Sequence, residues 1–264
     1  MSHRGFTLVE MIMVMVILGI VATGVTSFLR FGTLIFIDVS ERDELLSTSR
    51  FVVQRLNREL RMAVPNSVRE SQSGTTQCLE FLPAVTSTFY DVLPVNPQSS
   101  DEIEAIYPSE YNSGGTQYAI VYPLSAADIY DPSNNKIFAI DEVGTNAAPL
   151  PVTITLQNAA SFALHSPARR LYIARTPVSY CVRSGSLYRY ADYGLLVDQS
   201  VSVVELGAGS LMGEHLVNDM LNEQPFELTP ASLVRNAYVS ILLRFAVNDE
   251  IVDFNNEVHI PNAP

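Results

Sequence analysis

The chain has 264 residues, of which 47% are hydrophobic and only 17% are charged. This composition can bury a substantial core and excludes a wholly disordered protein. The formal net charge is -12, which argues against nucleic acid as a partner because a nucleic-acid-binding surface is expected to be basic.

The first long segment, residues 6–29, is mainly apolar and contains one charged residue, Glu10. As a helix its 24 residues extend about 36 Å, enough to cross a hydrocarbon layer of roughly 30 Å. Basic charge precedes it at Arg4 and acidic residues follow from Asp38 onwards, so the positive-inside tendency favours a cytoplasmic N-terminus. A cleavable secretory signal is the alternative. The segment is long for one, lacks an A-x-A site and contains a charge.

Glu10 needs an explanation, because a carboxylate in a membrane helix costs about 2.5–3.5 kcal/mol at mid-bilayer and less near the interface. No Lys, Arg or His lies between Phe6 and Leu29. We therefore expect its partner to come from a newly cleaved N-terminus or from another chain.

Residues 5–10 read GFTLVE and lead directly into the apolar segment. This arrangement resembles the leader of type IV prepilins and of type II secretion pseudopilins. The resemblance implies cleavage after Gly5 by a prepilin peptidase, N-methylation of the new terminal Phe6, and neutralisation of a neighbouring subunit's terminal amine by Glu10. A plain signal anchor is the alternative.

The resemblance also implies partners and a location. The partners are other major and minor pilins, the prepilin peptidase and the pilus assembly platform. The location is the bacterial inner membrane, crossed once with the remainder in the periplasm, followed by the pilus at the cell surface. No cofactor is expected.

An amphipathic helix is predicted to continue beyond the membrane over residues 30–64. Leu45, Val52, Leu56 and Ala63 form an apolar stripe while arginines occupy the other faces. Pro65 disfavours helix just before it, so the helix should end near residue 62 or 63. Residues 51–69, which read FVVQRLNRELRMAVPNSVR, resemble the helix end of large minor pilins and of J-type pseudopilins. The predicted organisation is a leader (1–5), a transmembrane helix (6–29), its periplasmic continuation (30–64) and a β-rich head (65–264), with one or two lobes.

Short β-type segments separated by Pro, Gly, Asn and Ser fill the head. They predict an α+β fold with a long N-terminal helix packed on a mainly antiparallel sheet. Ser184-Gly185 and Asn248-Asp249 predict two hairpins, residues 211–221 a short helix, and residues 94–113 and 128–146 polar loops. The predicted strands cover 78–82, 117–122, 136–140, 152–156, 170–174, 178–183, 186–190, 201–206, 237–247 and 250–260.

The two cysteines, Cys78 and Cys181, lie too far apart in sequence for a zinc knuckle or a CxxC redox pair. In an exported chain they predict a disulfide, worth about 4–5 kcal/mol in the chain-entropy model. Two free buried thiols are the alternative.

Residues 226–237 read FELTPASLVRNA and residues 257–264 read EVHIPNAP. With these segments the two ends of the chain, roughly the first 70 and the last 40 residues, resemble minor pilins of the mannose-sensitive haemagglutinin (MSHA) pilus. Major pilins usually close a C-terminal loop with a disulfide, whereas Cys78 and Cys181 lie well inside this chain. The resemblance thus implies a minor pilin that helps prime assembly, sits at the tip and supports surface adhesion. A J-type pseudopilin and a tip adhesin that binds a surface glycan are the alternatives.

No catalytic motif is present, and a non-enzymatic protein is expected. The sequence contains no HExxH, GxSxG, P-loop or GxGxxG, and its four histidines are scattered, so no metal site is expected either. Residues 131–142 partly match a calcium loop, but Lys136 stands where that loop needs glycine. An ordinary acidic loop is the favoured interpretation of that segment.

Overall fold

The computed structural model describes residues 7–108, 111–145, 151–231, 235–248 and 250–260. It has one long helix followed by a head of antiparallel strands, which confirms the predicted α+β fold. In chain order the elements are α1 (Leu8–Arg61), β1 (Arg69–Ser73), β2 (Thr76–Phe81), β3 (Ala84–Val92), β4 (Ser100–Ala105), β5 (Gln117–Val121), α2 (Ala127–Tyr130), a 3-10 turn (Pro132–Asn134), β6 (Ile137–Val143), β7 (Val152–Ala160), β8 (Arg170–Arg175), β9 (Val178–Arg183), β10 (Ser186–Tyr190), α3 (Val203–Leu206), β11 (Ser210–Gly213), β12 (Phe226–Thr229), β13 (Ala237–Val247) and β14 (Glu250–Ile260).

The C-terminal part of α1 packs against two sheets. One has five strands in the order β1-β2-β9-β10-β11, and the other has three in the order β12-β13-β14. Leu45, Val52, Leu56 and Leu60 of α1 are buried among the inward-facing side chains of both sheets. The apolar stripe predicted for this part of the helix is therefore the face that holds the head.

The helix ends where the sequence indicates. Its last residue is Arg61 with Met62 as the C-cap, and Ala63 already forms a β-bridge with Pro83. The N–H of Val64 donates to the carbonyl of Leu82 at 2.9 Å. The chain thus passes directly from helix to sheet, as expected for a segment followed by proline.

The second part of the head is a closed six-stranded barrel, with the strand order β3-β4-β7-β6-β5-β8. It is inserted between β2 and β9, which pair side by side so that Phe81 lies opposite Val178. Its interior is filled by its own apolar cluster, which includes Ile103, Ile154 and Ile173. The head therefore contains two β units, each with its own core.

Both predicted hairpins are confirmed. β9 and β10 are joined through Ser184 and Gly185, which both have positive φ (48° and 73°), as a type I′ turn requires. β13 and β14 pair along their whole length beyond Asn248, which has φ 47°.

Three local predictions were wrong. Residues predicted as a strand at 201–206 include the short helix α3, because the Ser202 side chain accepts a hydrogen bond from the Val204 N–H and caps it. Residues predicted as a helix at 211–221 begin with the strand β11, because it pairs with β10. The loop predicted at 94–113 contains the barrel strand β4, because that segment pairs with β3 and β7. Non-local pairing overrode the local pattern in these last two cases. The loop predicted at 128–146 is interrupted by β6, which agrees with the strand predicted at 136–140.

Candidate functional site

The N-terminal half of α1 is an exposed apolar surface. The large apolar side chains from Leu8 to Val39 are 45–75% exposed, and Leu45 is the first buried residue of the helix. By length and composition α1 is able to cross a membrane. Residues 8–29 alone extend about 33 Å. The apolar surface continues past Arg30 with Phe31 and Phe36, so the exposed stretch is longer than one bilayer requires.

Glu10 lies in the first turn of this helix. One of its carboxylate oxygens accepts hydrogen bonds from the Thr7 N–H and the Thr7 hydroxyl, both at 3.0 Å, and the Glu10 N–H donates to the Thr7 hydroxyl at 3.4 Å. The pair forms a capping box, which satisfies N–H groups that a helix start leaves unpaired.

From the sequence, a partner for Glu10 was expected only from a new N-terminus or from another chain. The structure adds a partner within the same chain, because Thr7 donates hydrogen bonds to the Glu10 carboxylate. The Thr-x-x-Glu spacing is a capping signature that the sequence shows openly. Gly5 and Phe6 lie outside the described residues, and the pairing of Glu10 with a terminal amine stays a prediction.

Residues 1–26 match the family model of the prokaryotic N-terminal methylation motif. The motif indicates a type IV pilin or pseudopilin. No curated protein and no solved structure matches the chain significantly. The pilin motif implies processing by a prepilin peptidase and assembly with other pilins, and with the apolar helix it is consistent with membrane anchoring.

The structure joins Cys78 to Cys181 in a disulfide. The two residues are directly opposite each other on β2 and β9 and are fully buried. Their side chains lie on the sheet face that points away from α1, in a small cluster with Tyr190, Tyr193 and Leu206. Because β2 and β9 flank the barrel insertion, the disulfide links the two strands from which the barrel emerges.

A buried polar cluster joins the barrel side of the head to the five-stranded sheet. The guanidinium of Arg69 pairs with the fully buried carboxylate of Glu80 and lies 3.5 Å from the ring centroid of Tyr130. It also donates to two backbone carbonyls in residues 196–197. The Tyr193 hydroxyl donates to Glu80 at 2.9 Å. Burial raises the pKa of Glu80, and the Arg69 hydrogen bond opposes that rise.

The calcium-like segment 131–142 does not form a loop of converging oxygens. The Asp131 carboxylate accepts from the Ser133 N–H at 2.9 Å and caps the 3-10 turn. The second half of the segment belongs to β6, Ile137–Val143. Across the described ranges, no three His, Cys, Asp or Glu side chains group closely enough to hold a metal ion.

Lys136, the chain's only lysine, pairs instead with Asp128 at 2.9 Å. Burial acts to raise the pKa of the Asp128 carboxyl, but the Lys136 hydrogen bond and the N–H groups of Leu124 and Ser125 outweigh it. The pKa of Asp128 is therefore below its ordinary value. This ion pair joins α2, which contains Asp128, to the residue directly before β6. We therefore assign it a role in holding the fold together.

The tip of the β13–β14 hairpin contacts α1 on the N-terminal side of the helix residues that are buried in the core. The Asn248 side-chain amide donates to the carboxylates of Asp38 (2.9 Å) and Glu41 (2.6 Å). Arg42 forms an ion pair with Glu250 at 3.1 Å. These polar contacts extend the attachment of the head by one to two helical turns from Leu45 towards the N-terminus of α1. The sequence did not predict them.

Proposed function

We propose that the chain is a minor pilin of an MSHA-type type IV pilus, a structural subunit that helps prime filament assembly and sits at the tip. The observation that supports this most is the N-terminal methylation motif at the start of a helix with an exposed apolar surface. A helix of this kind, with a folded head at its far end, suits a subunit that moves from a membrane into a helical filament.

Before assembly the chain crosses the inner membrane once, with its head in the periplasm. A prepilin peptidase cuts after Gly5, and the new terminal Phe6 is methylated. The assembly platform then transfers the chain into the filament, where α1 packs against the helices of other pilins. Glu10 gives up its capping contact with Thr7 and pairs with the terminal amine of a neighbouring subunit, which sets the axial register.

Sequence resemblance supports the narrower assignment. The first 70 and last 40 residues look like those of the minor pilin MshO of the MSHA pilus. The disulfide joins Cys78 to Cys181 in the middle of the head, unlike the C-terminal loop usual in major pilins. A J-type pseudopilin of a type II secretion system is the alternative, and loss of secretion without loss of pili on deletion would favour it.

The head acts by binding and packing, without catalysis, and supports adhesion to surfaces. If the head is itself an adhesin for a surface glycan, detergent-solubilised purified protein competes with cells for attachment. If it serves only assembly, the added protein has no effect on attachment.

The register role of Glu10 is tested by comparing Glu10→Ala with Thr7→Ala. Thr7→Ala removes the hydroxyl that accepts from the Glu10 N–H and costs the helix start about 1 kcal/mol. Glu10→Ala removes the carboxylate that accepts from the Thr7 N–H. Each substitution breaks the capping box, but only Glu10→Ala removes the carboxylate. We expect Glu10→Ala to be absent from sheared filaments and Thr7→Ala to be present near the wild-type level. Mass spectrometry verifies that both variants are cleaved after Gly5.

Equal incorporation of the two variants contradicts the register role. If both enter filaments, the carboxylate is not needed, and if neither does, loss of the capping box explains the defect. Formation of the Cys78–Cys181 disulfide in each variant serves as the control for a folded head.

A further inference from the structure

A groove of about 600 Å³ runs between α1 and the edge strand β11. Its floor is apolar and is formed mainly by Leu45, Met212 and Phe245, and carboxylates surround the opening. The rim carboxylates belong to Glu41, Glu44 and Glu214. Apart from His215, none of the described residues that line the groove is basic, so the groove suits an apolar side chain flanked by positive charge.

A second surface on the same helix has the opposite character. Its residues, here named the arginine stripe, are Arg50, Phe51, Arg58, Arg61 and Met62. Phe51 is 57% and Met62 55% exposed. Among the residues that the structure describes, none of the three guanidinium groups forms an ion pair, whereas Arg42 and Arg55 of the same helix are both paired.

We propose that the groove of one chain binds the arginine stripe of a second copy of this chain. Phe51 enters the groove, and Arg50 and Arg58 face the carboxylates of Glu44 and Glu214. The complementarity is both apolar and electrostatic, and both halves of it lie on one chain. This inference rests on the proposed function, which brings the α1 helices of neighbouring subunits side by side.

The geometry agrees with membrane-anchored partners. Two chains anchored by the same N-terminal segment have parallel α1 helices. Phe51 is six residues beyond Leu45, about 9 Å along the helix. The partner that supplies Phe51 is therefore displaced about 9 Å towards the membrane.

The groove residues and the stripe residues lie roughly a third of a turn apart around α1, at 100° per residue. The contact thus joins two different surfaces. Such a heterologous contact does not close a symmetric dimer, so a pair of copies keeps one free groove and one free arginine stripe.

Site-directed cross-linking of the full chain in membranes tests the contact. One tagged copy carries Thr48→Cys in the groove, and a second, differently tagged copy carries Gln54→Cys beside the stripe. The two native cysteines are already joined to each other. A short bis-maleimide should give a product of twice the chain mass that carries both tags. Asp101→Cys on the exposed side of β4 replaces Gln54→Cys as the control and should give none.

Charge reversal tests the chemistry of the contact. Glu44→Arg with Glu214→Arg in the groove copy should lower the cross-linked product roughly tenfold, because like charges then face each other. Arg50→Glu with Arg58→Glu in the stripe copy should restore it. Phe51→Ala should also lower the yield, and all of these side chains are exposed, so the head should still fold. Formation of the Cys78–Cys181 disulfide in each variant, read on a non-reducing gel, verifies that the head is folded.

The inference is overturned if the product is absent, if its mass shows another protein, or if charge reversal leaves the yield unchanged. Because the measurement is made in membranes, it does not depend on filament formation. Failure of the cross-link with normal, Glu10-dependent entry into sheared filaments overturns this contact alone. A strong cross-link without filament entry overturns the proposed function and leaves the contact standing.

Discussion

Removal of the disulfide by Cys78→Ala with Cys181→Ala tests how the two β units of the head depend on each other. The bond closes a loop with a sequence separation of 103. If the whole head unfolds together, the chain-entropy model gives a loss of about 4.7 kcal/mol for a loop of that size.

The loss is smaller if the barrel stays folded when the sheets unfold. β3 and β8 hold Ala84 opposite Ala174, so a folded barrel shortens the effective loop to about 15 residues. The expected loss is then about 3 kcal/mol. The size of the effect therefore reports whether the inserted barrel folds on its own.

The assay is denaturant unfolding of the purified, detergent-solubilised chain, followed by the circular dichroism of the head. Hydrogen exchange at Ile103 and Ile154, inside the barrel, is recorded on the same samples. Retained protection there with a loss near 3 kcal/mol shows an independent barrel. A loss below about 1 kcal/mol refutes the view that the disulfide stabilises the paired strands β2 and β9.

Three further predictions concern the head and its attachment to α1. Leu56→Ala, at a fully buried position, should lower the free energy of unfolding by about 2–5 kcal/mol, while Leu18→Ala in the exposed segment leaves it unchanged; equal effects would contradict the described packing. Arg69→Met should cost about 3–5 kcal/mol because it leaves the buried Glu80 carboxylate unpaired; a neutral result in the same unfolding assay would argue against the ion pair. Because the folded-state pKa of Asp128 is lowered, its contribution is present above about pH 4 and is lost as the pH falls through the folded pKa. The stability difference between wild type and Asp128→Asn should therefore shrink on acidification, and a difference that does not change between pH 7 and pH 3 would contradict this.

Local patterns in the sequence were sufficient to predict α1 and the two hairpins. The apolar spacing that includes Leu45 and Leu56 identified the face of α1 that is buried against the sheets. Gly185 in a two-residue connection identified the β9–β10 turn. Each of these features depends on residues close together in the chain, so the pattern and the physical cause coincide.

The barrel could not be predicted in the same way. Its closure depends on pairing between β3 and β8, which are about 80 residues apart, and its strand β4 lies in a segment predicted as a loop. Its position between two paired strands of another sheet leaves no local signal, because neither Phe81 nor Val178 differs from an ordinary strand residue. Only the two cysteines hinted that β2 and β9 lie side by side.

The candidate site was predicted in part. The motif that leads to Glu10 is visible in the sequence, but its capping contact with Thr7 was overlooked. The groove beside Leu45 combines α1 with β11 and β13, so its residues are brought together only by the fold. The sequence places Phe51 in an amphipathic helix. Only the structure shows that the arginines beside it form no ion pair with any residue in the described part of the chain.

Mass spectrometry of the N-terminal peptide, in membrane and sheared-filament fractions, tests the central claim most directly. The proposal predicts a mature chain that begins at methylated Phe6 and is present in the filament fraction. A chain that begins at an unprocessed Met1 and is confined to the membrane would contradict it.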